Sequence, residues 1–225
     1  MAGRLHIASL DLERLLPGLG VDSPLVTSPN LAPRRPLSAI RLEADRPCLS
    51  RLFWGLTPPW LEVLDRAPHC ARAESLEARP MFREAFRARR CLVPVSGVYV
   101  WRAQARFKQP FLVTRVDRGP LLLAGLWCRF HTSLAEHTDS LALITVPANS
   151  LLGPLTDRLP GVIAPADSHR WLDPRTPPDE ARSLLATAPM ELLGAFPVSR
   201  RVNDPAHQDP ACAYPTGPML CRNPR

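Results

Sequence analysis

Alternating apolar and polar residues, interrupted by short continuous apolar runs, cover much of this chain. Alternation is typical of strands with one solvent-facing side, and a short apolar run bounded by turn residues is typical of a strand buried on both sides. These patterns predict extended segments at residues 1–9, 37–42, 52–56, 91–95, 98–101, 111–115, 121–127, 141–146, 161–164 and 198–202.

Helical spacing of apolar residues is confined to short segments. It predicts helices at residues 10–19, 82–90, 151–158, 168–172 and 180–185. Residues 28–33 hold two prolines and are predicted to be a loop, because proline cannot lie inside a helix or a central strand. Residues 69–77 show no period and are predicted to be irregular. Strands and helices do not alternate regularly, so the order indicates an α+β domain with a largely antiparallel sheet.

The chain has 225 residues, which suits one large domain or two small ones with a sizeable core. The predicted elements end near residue 204. Beyond it, proline, glycine and polar residues predict a poorly ordered tail at 205–225. We therefore expect one domain at 1–204 followed by this tail.

The formal charge is +7 and the pI is about 9.7, which favours a polyanionic partner. Lys108 is the only lysine, so arginine supplies nearly all of the positive charge. A GC-rich genome produces the same composition, and charge alone does not separate the two explanations. The 27 prolines are scattered without a repeat and indicate turns and rigid loops.

The six cysteines form no CxxC pair and have no zinc-like spacing with histidine, so we expect no metal and no cofactor. The N-terminal residues do not resemble a signal peptide, and no apolar run approaches the length of a membrane span. These features predict a cytoplasmic protein with reduced thiols and no membrane partner.

The stretch from residue 69 to 102 holds seven arginines against three glutamates, with large apolar and aromatic side chains between the charges. Guanidinium groups neutralise phosphates and aromatic rings stack on bases, so the stretch suits nucleic acid. A solvated helix followed by a buried strand would give the same composition. The order of motifs along the whole chain favours the first interpretation.

The motifs, in order, resemble those of the SOS response-associated peptidase (SRAP) family, also called abasic-site processing proteins. Each motif alone is weak, but together they span roughly residues 1–204. They are Met1-Ala2-Gly3-Arg4, Asn30-Leu31-Ala32-Pro33, Phe53-Trp54-Gly55-Leu56, Trp60, Ala71-Arg72-Ala73-Glu74-Ser75, Met81-Phe82-Arg83, Arg90-Cys91-Leu92-Val93-Pro94, Gly97-Val98-Tyr99, Trp101, Gln109-Pro110-Phe111, Gly125-Leu126-Trp127, Asp157-Arg158-Leu159-Pro160 and Val198-Ser199.

The resemblance implies a single α+β domain in which twisted, largely antiparallel sheets form a barrel-like core with short flanking helices and a DNA cleft. Members of the family bind single-stranded DNA at junctions. An N-terminal cysteine condenses with the aldehyde of an abasic site and closes a thiazolidine, which cross-links protein to DNA. An Asn, a Glu and a His surround that cysteine, and the Glu and His transfer protons.

All four of those positions are substituted in this chain. The cysteine is Ala2, the Asn is Cys70, the Glu is Val100 and the His is Thr156. Without a thiol on residue 2 the five-membered ring cannot form, so we expect the cross-linking activity to be lost. Cys70 is best explained as a small buried side chain.

The DNA-binding positions are retained. By resemblance, Arg4, Arg72 and Arg158 contact phosphates. The remaining assignments place two tryptophans near the bases, two residues on a loop that wedges beside the nucleotide, and one residue on a loop lining the cleft: Trp60 and Trp101, Met81 and Phe82, and Asn30. Purely structural roles are the alternative, with Trp101 and Phe82 in the core and Arg72 paired to Glu74 or Glu77.

The resulting prediction is a degenerate family member that binds single-stranded or junction DNA in the SOS and DNA-damage response of a bacterium. Two alternatives remain: an abasic-site enzyme that uses the α-amine of Ala2 alone, and a protein-interaction module of a DNA-repair operon. We expect a monomer in the cytoplasm, associated with the nucleoid and able to bind a DNA-repair protein.

Overall fold

The computed structural model describes residues 3–21, 24–61, 67–131 and 136–222. The strands, in chain order, are β1 (Leu5–Ile7), β2 (Gly20–Val21), β3 (Ser28–Leu31), β4 (Pro36–Glu43), β5 (Arg46–Trp54), β6 (Cys70–Arg72), β7 (Arg90–Val95), β8 (Gly97–Ala103), β9 (Lys108–Arg115), β10 (Leu121–His131), β11 (His137–Pro147), β12 (Arg158–Pro160) and β13 (Leu193–Pro197). The α-helices are α1 (Leu12–Leu15), α2 (Pro80–Ala88), α3 (Ser168–Leu172) and α4 (Pro178–Ser183), and the 3-10 helices are Ala73–Ser75, Pro165–Asp167, Arg200–Asn203 and Pro210–Ala213.

A closed barrel forms the centre of the molecule. Its strands follow the order β11-β10-β7-β4-β5, and β5 returns to pair with β11, which closes the ring. The closing pair is parallel, whereas the other four pairs of the ring are antiparallel. Strands β6 and β12 extend the sheet along β11, and β2 extends it along β5. The predicted α+β class with a barrel-like core is confirmed.

A second, antiparallel sheet has the order β13-β9-β8-β1-β3. Only Ser96 separates β7 of the barrel from β8 of this sheet, so the two sheets are joined by a sharp change of direction. One apolar core contains side chains of both, including Val93 and Val95 from the barrel and Val98, Val100 and Val113 from the second sheet. The shared core fixes the second sheet against the barrel.

Helix α2 covers one side of the barrel. Pro80 occupies its first turn, where the missing N–H costs no hydrogen bond. Phe82, Ala85 and Phe86 recur at helical spacing on one face and are buried in a second core. The arginines of the helix lie on the opposite, solvated face, as the amphipathic pattern indicates.

Several predictions of secondary structure are wrong, and in some cases the place of the segment in a sheet gives the reason. Residues 28–31 form β3 rather than a loop, because β3 is an edge strand that pairs only with β1 and therefore tolerates Pro29. Residues 161–164 contribute an isolated bridge at Val162 instead of a strand. The helix predicted at 151–158 is absent: residues 151–155 form turns, and Arg158 begins β12. The last strand is Leu193–Pro197, and the predicted strand at 198–202 gives way to the 3-10 helix Arg200–Asn203.

Residues 205–222 are packed on the second sheet, which differs from the poorly ordered tail that their composition predicts. Cys212 is fully buried, and Leu220 forms a bridge with Ala195 of β13. A further bridge joins Pro215 to Val198. A few apolar side chains between the prolines thus anchor the segment.

Within the described residues, no helix has both the length and the apolar character needed to cross a membrane.

Candidate nucleic-acid interface

A cleft of about 970 Å³ opens beside the second sheet and the start of β12. Its walls come from segments far apart in sequence. The lining residues are Arg4, Arg72, Val100, Trp101, Arg102, Ala103, Lys108, Gly153, Pro154, Leu155, Thr156, Asp157, Arg158 and Asn203. Five of them are cationic and one is acidic, so the cleft has the charge that a polyanion needs.

Arg4 directly precedes β1, and its side chain reaches the cleft, where Asn30 holds it in place. The Arg4 guanidinium donates to the Asn30 side-chain oxygen and to the Val202 carbonyl, both at 2.7 Å. The Asn30 amide in turn donates to the carbonyls of Val202, Asp204 and His207. Burial lowers the pKa of Arg4, but an arginine stays protonated at neutral pH. The network therefore positions a permanent charge.

Asn30 does not itself line the cleft. It was predicted on a cleft-lining loop, but it lies on strand β3 and is fully buried. Both the oxygen and the nitrogen of its side-chain amide are used in hydrogen bonds. Its role is to hold Arg4 and the segment after Val202, and a direct contact with DNA is excluded by its burial.

Arg72 lies on β6 and Arg158 lies on β12. Both strands pair with β11, one on each side of it. The Arg158 guanidinium donates to both carboxylate oxygens of Glu74, at 3.0 and 2.8 Å, and this lowers the pKa of Glu74. Glu77 pairs with Arg182. Both acids proposed as partners of Arg72 form their ion pairs with other arginines. Arg72 is exposed and has no ion pair to the described part of the chain, although its charge also helps to lower the pKa of Glu74.

Trp101 lies between the basic groups of the cleft. Its indole N–H donates to the Asn203 side-chain oxygen at 2.7 Å, and the Arg4 guanidinium carbon lies 5.8 Å from its ring centroid. One side of the ring packs against a small core that contains Tyr99 and Phe196. Trp101 is thus partly core and partly cleft wall, which combines the two roles predicted for it.

Three of the four substituted positions can be located. Val100 lines the cleft and is 3% exposed, and Thr156 lines it with its hydroxyl donating to the Arg158 carbonyl at 3.0 Å. Cys70 packs against the main core, and burial raises the pKa of its thiol to about 12. Ala2 lies outside the described residues. None of the three side chains offers a group that ionises near neutral pH.

Three predicted DNA contacts lie away from the cleft lining. Phe82 is 3% exposed and belongs to the core under α2, so the prediction that it wedges beside a nucleotide is not compatible with its burial. Met81 is partly buried in the first turn of the same helix, not on a loop. Trp60 is 59% exposed after the two prolines of its loop. The helical period of Phe82, Ala85 and Phe86 already indicated a core position for Phe82.

The sequence interpretation missed four residues that the fold brings to this region. Arg102, Lys108 and Asn203 line the cleft. The His69 ring lies beside the start of the chain, since its Nε2 would be 3.7 Å from a Cβ on Gly3. Burial lowers the pKa of His69, so its imidazole is neutral at pH 7. Only Arg102 and Lys108 carried a signal in the sequence, as charges at the ends of two adjacent predicted strands.

No cluster of three or more His, Cys, Asp or Glu side chains in the described segments is placed to hold a metal ion.

Comparison with known proteins gives relatives of one kind. Abasic site processing protein YoqW of Bacillus subtilis is 30% identical over 185 residues, which cover 80% of this chain and 83% of YoqW. Abasic site processing protein YedK of Escherichia coli is 25% identical over 207 residues, which cover 91% of this chain and 90% of YedK.

A solved structure of a protein from Bacteroides thetaiotaomicron has the same fold, with a TM-score of 0.83 and 22% identity over 95% of this chain and 99% of that one. The family model described as SOS response associated peptidase (SRAP) matches residues 1–205. The resemblance found in the sequence motifs is confirmed, and the chain belongs to the SRAP family.

Proposed function

We propose that this protein binds single-stranded or junction DNA at abasic sites during the DNA-damage response, and that it does not form the thiazolidine cross-link. Its relatives are named abasic site processing proteins, which supports a role in the same response. The observation that carries the proposal is the cleft itself, in which cations remain while the reactive side chains are replaced.

The cations of the cleft are of two kinds. Arg4 and Arg158 are held at fixed positions by hydrogen bonds to Asn30 and Glu74, and the Glu74 carboxylate offsets the charge of Arg158. Arg72, Arg102 and Lys108 are exposed, and none has an ion pair within the described residues, although the Arg102 guanidinium carbon lies 5.2 Å from the Phe111 ring centroid and the charge of Arg72 acts on Glu74. Fixed charges select a geometry, whereas free ones adapt to successive phosphates and release counterions on binding.

The chemistry of the cleft argues against cross-linking. A valine at position 100 and a threonine at position 156 cannot act as acid or base near pH 7. The Cys70 thiol, with a pKa of about 12, carries almost no thiolate at neutral pH and is a poor nucleophile. The pocket therefore retains the groups that bind DNA and lacks those that would react with it.

A weaker activity through the Ala2 α-amine is the second candidate, and His69 is the observation that favours it. An α-amine has a pKa of about 7.7–8.0, so a minority is neutral at pH 7 and can form an imine with an aldehyde. A neutral imidazole lies beside Gly3, the residue that follows Ala2, and is the group we expect to accept a proton from the amine. Such an imine would be reversible, because no thiol on residue 2 can trap it.

The remaining parts of the proposal follow from the same assignment. We propose a monomer located in the cytoplasm at the nucleoid, where abasic single strands occur. A DNA-repair protein is the partner class expected if binding alone is the function. A protein-interaction module without DNA affinity is the outcome that would replace the proposal.

The experiment compares an intact single strand with one that contains an abasic site, on native and on denaturing gels. We expect a shift of both strands on the native gel and little adduct on the denaturing gel. Affinity should fall steeply with salt, with a slope of about 0.7 per phosphate contacted.

Arg72→Ala should weaken binding of every sequence about equally, and Arg14→Ala is the matched control, because Arg14 is also exposed but lies outside the cleft. Absence of binding at low salt would refute the proposal and favour the interaction module.

A further inference from the structure

The hairpin between β8 and β9 carries an aromatic residue and several cations that the cleft does not account for. Its loop spans residues 104–107, closed by the pair Ala103↔Lys108 and by a hydrogen bond from the Gln104 N–H to the Phe107 carbonyl. Phe107 is 38% exposed, whereas most phenylalanines of the chain are buried. A single exposed ring does not by itself indicate a partner, so the inference depends on the cations that surround Phe107.

The Arg200 guanidinium covers this ring. Its carbon lies 5.0 Å from the Phe107 centroid, which is within the range of a cation–π contact. Both residues are exposed, and Arg200 has no ion pair to the described residues. Phe107 and Arg200 together are named here the hairpin platform.

A continuous set of contacts joins the hairpin platform to the cleft. Arg200 begins the 3-10 helix that ends at Asn203, and Asn203 accepts the hydrogen bond from the Trp101 indole inside the cleft. Side chains three residues apart in a 3-10 helix lie on the same face, about 6 Å apart along its axis. This rise is comparable to one or two nucleotides at about 3.4 Å per stacked base.

Charge along this path favours a nucleic acid strand over a protein. Arg102 and Lys108 lie in the cleft, Arg106 lies beside Phe107, and all three are exposed without an ion pair in the described ranges. Elsewhere many surface arginines are neutralised by acids, as in the pairs Arg170–Glu180 and Arg175–Asp173. A run of unpaired cations around an exposed ring is the combination that binds single strands, through phosphate contacts and base stacking.

The hairpin is also held rigidly enough to act as a platform. The Gln109 amide donates to the Val198 carbonyl at 3.0 Å, which ties β9 to the segment that leads into the Arg200 helix. Strand β9 and this 3-10 helix are in contact. The backbone segments that carry the ring and the guanidinium are therefore held next to each other before any ligand arrives, which reduces the entropy lost on binding.

We propose that the hairpin platform binds a base of the single strand that flanks the nucleotide in the cleft, with Phe107 stacking on the base and Arg200 contacting the adjacent phosphate. This inference rests on the proposed DNA-binding function and extends it from one nucleotide site to a strand path with a direction. The strand leaves the cleft past Trp101 and Asn203 and crosses the hairpin on one side of the abasic position.

The test measures fluorescence anisotropy of the full-length protein with three labelled DNA probes. The first is a short single strand with a central tetrahydrofuran abasic analogue, and the other two extend it with thymidines on the 5′ side or on the 3′ side. Stacking of one base contributes roughly 10-fold to affinity. We expect the wild type to gain about this factor from one of the two extensions only.

Phe107→Ala should abolish that gain and leave binding of the short probe unchanged, whereas Phe107→Trp should preserve it. Arg200→Gln should lower the salt slope for the extended probe by about 0.7, the value of one phosphate contact. Tyr214→Ala is the matched control, because Tyr214 is 61% exposed but does not line the cleft. Thermal melting of each variant verifies that it is folded.

Two results would overturn the inference while leaving the proposed function intact: equal affinity for all three probes, or an extension gain that survives Phe107→Ala. Failure of the wild type to bind even the short probe would instead refute the proposed function, and the platform with it. A fourth probe, in which the favoured extension is paired to a complementary strand, tests the stacking itself: an equal gain from this duplex extension would show that charge rather than stacking is responsible and would refute the role of Phe107.

Discussion

Under the proposed function, the cross-linking chemistry is absent because of the residues at four positions: Ala2, Cys70, Val100 and Thr156. Ala2→Cys alone should restore only slight cross-linking, because the groups at 100 and 156 still cannot transfer protons. The fourfold variant Ala2→Cys, Cys70→Asn, Val100→Glu, Thr156→His should give a much higher yield on denaturing gels with an abasic strand.

A cost in stability is expected for the fourfold variant. Val100 is 3% exposed, so a glutamate there loses hydration and should lower the melting temperature. Equal yields from the single and fourfold variants would show that the other three substitutions are irrelevant to the chemistry.

The α-amine of residue 2 gives a second prediction at this scale. Protein from which Met1 has been removed should form a covalent adduct with an abasic strand when borohydride reduces the imine, and acetylation of the amine should abolish it. His69→Gln should reduce the trapping rate if the imidazole assists, since burial keeps His69 neutral at pH 7. Trapping that is unaffected by acetylation would identify Lys108 as the reacting amine.

At the scale of residues, the sequence predicted which side chains come together better than it predicted which of them are exposed. The motifs correctly grouped Arg4, Arg72, Trp101 and Arg158 at one cleft. They misplaced Asn30 and Phe82, since a motif shows which residues accompany one another but not whether a side chain faces solvent. Asn30 is buried because three carbonyls from residues 202–207 meet its amide, and this long-range contact leaves no local signal.

At the scale of elements, Arg90 joins three segments. It is 2% exposed, and its guanidinium donates to the carbonyls of Phe86 and Arg87 at the end of α2, of Trp171 and Asp173 at α3, and of Thr176. The described structure gives it no carboxylate partner within salt-bridge distance. Burial lowers the pKa of Arg90, but five carbonyl dipoles compensate for much of the lost hydration.

Arg90→Lys should therefore destabilise the protein. A lysine keeps the charge, but its single ammonium group cannot donate to all the carbonyls that the planar guanidinium reaches. The free energy of unfolding should therefore fall by about 2–4 kcal/mol. Urea denaturation followed by circular dichroism measures the change. The control is Arg87→Lys, at an exposed position of α2, which should have little effect on stability. A small effect of Arg90→Lys would show that the hydrogen bonds to the five carbonyls are dispensable.

Strands of the barrel were the most predictable elements. Residues 91–95, 121–127 and 141–146 lie within β7, β10 and β11, because their apolar runs are long and both faces are buried. Outside the barrel, the predictions at 98–101, 111–115 and 168–172 agree with β8, β9 and α3, but other elements were missed. Strand β13 contains Gly194 and Pro197, which weaken the pattern, and it forms because β9 offers a free edge. Whether such a segment forms a strand depends on a pairing partner that is distant in sequence.

At the scale of the whole molecule, residues 205–222 belong to the domain. A chain ending at Asp204 would lose the His207 carbonyl bound by Asn30, the buried Cys212 and the bridge at Leu220. We expect it to melt at a lower temperature and to bind single-stranded DNA less tightly, because Arg4 depends on the same network. A chain ending at Arg222 is the control. Unchanged melting and binding of the shorter chain would contradict this role.

The hydrogen bonds that close the cleft join the first thirty residues to the segment at 202–207. During synthesis the N-terminal part of the chain emerges first and can begin to fold, yet Arg4 has no fixed position until the last part has emerged. We expect the nascent barrel to lack a formed DNA site. The contribution of Arg4 to the proposed DNA site would then be complete only after the last part of the chain has been synthesised.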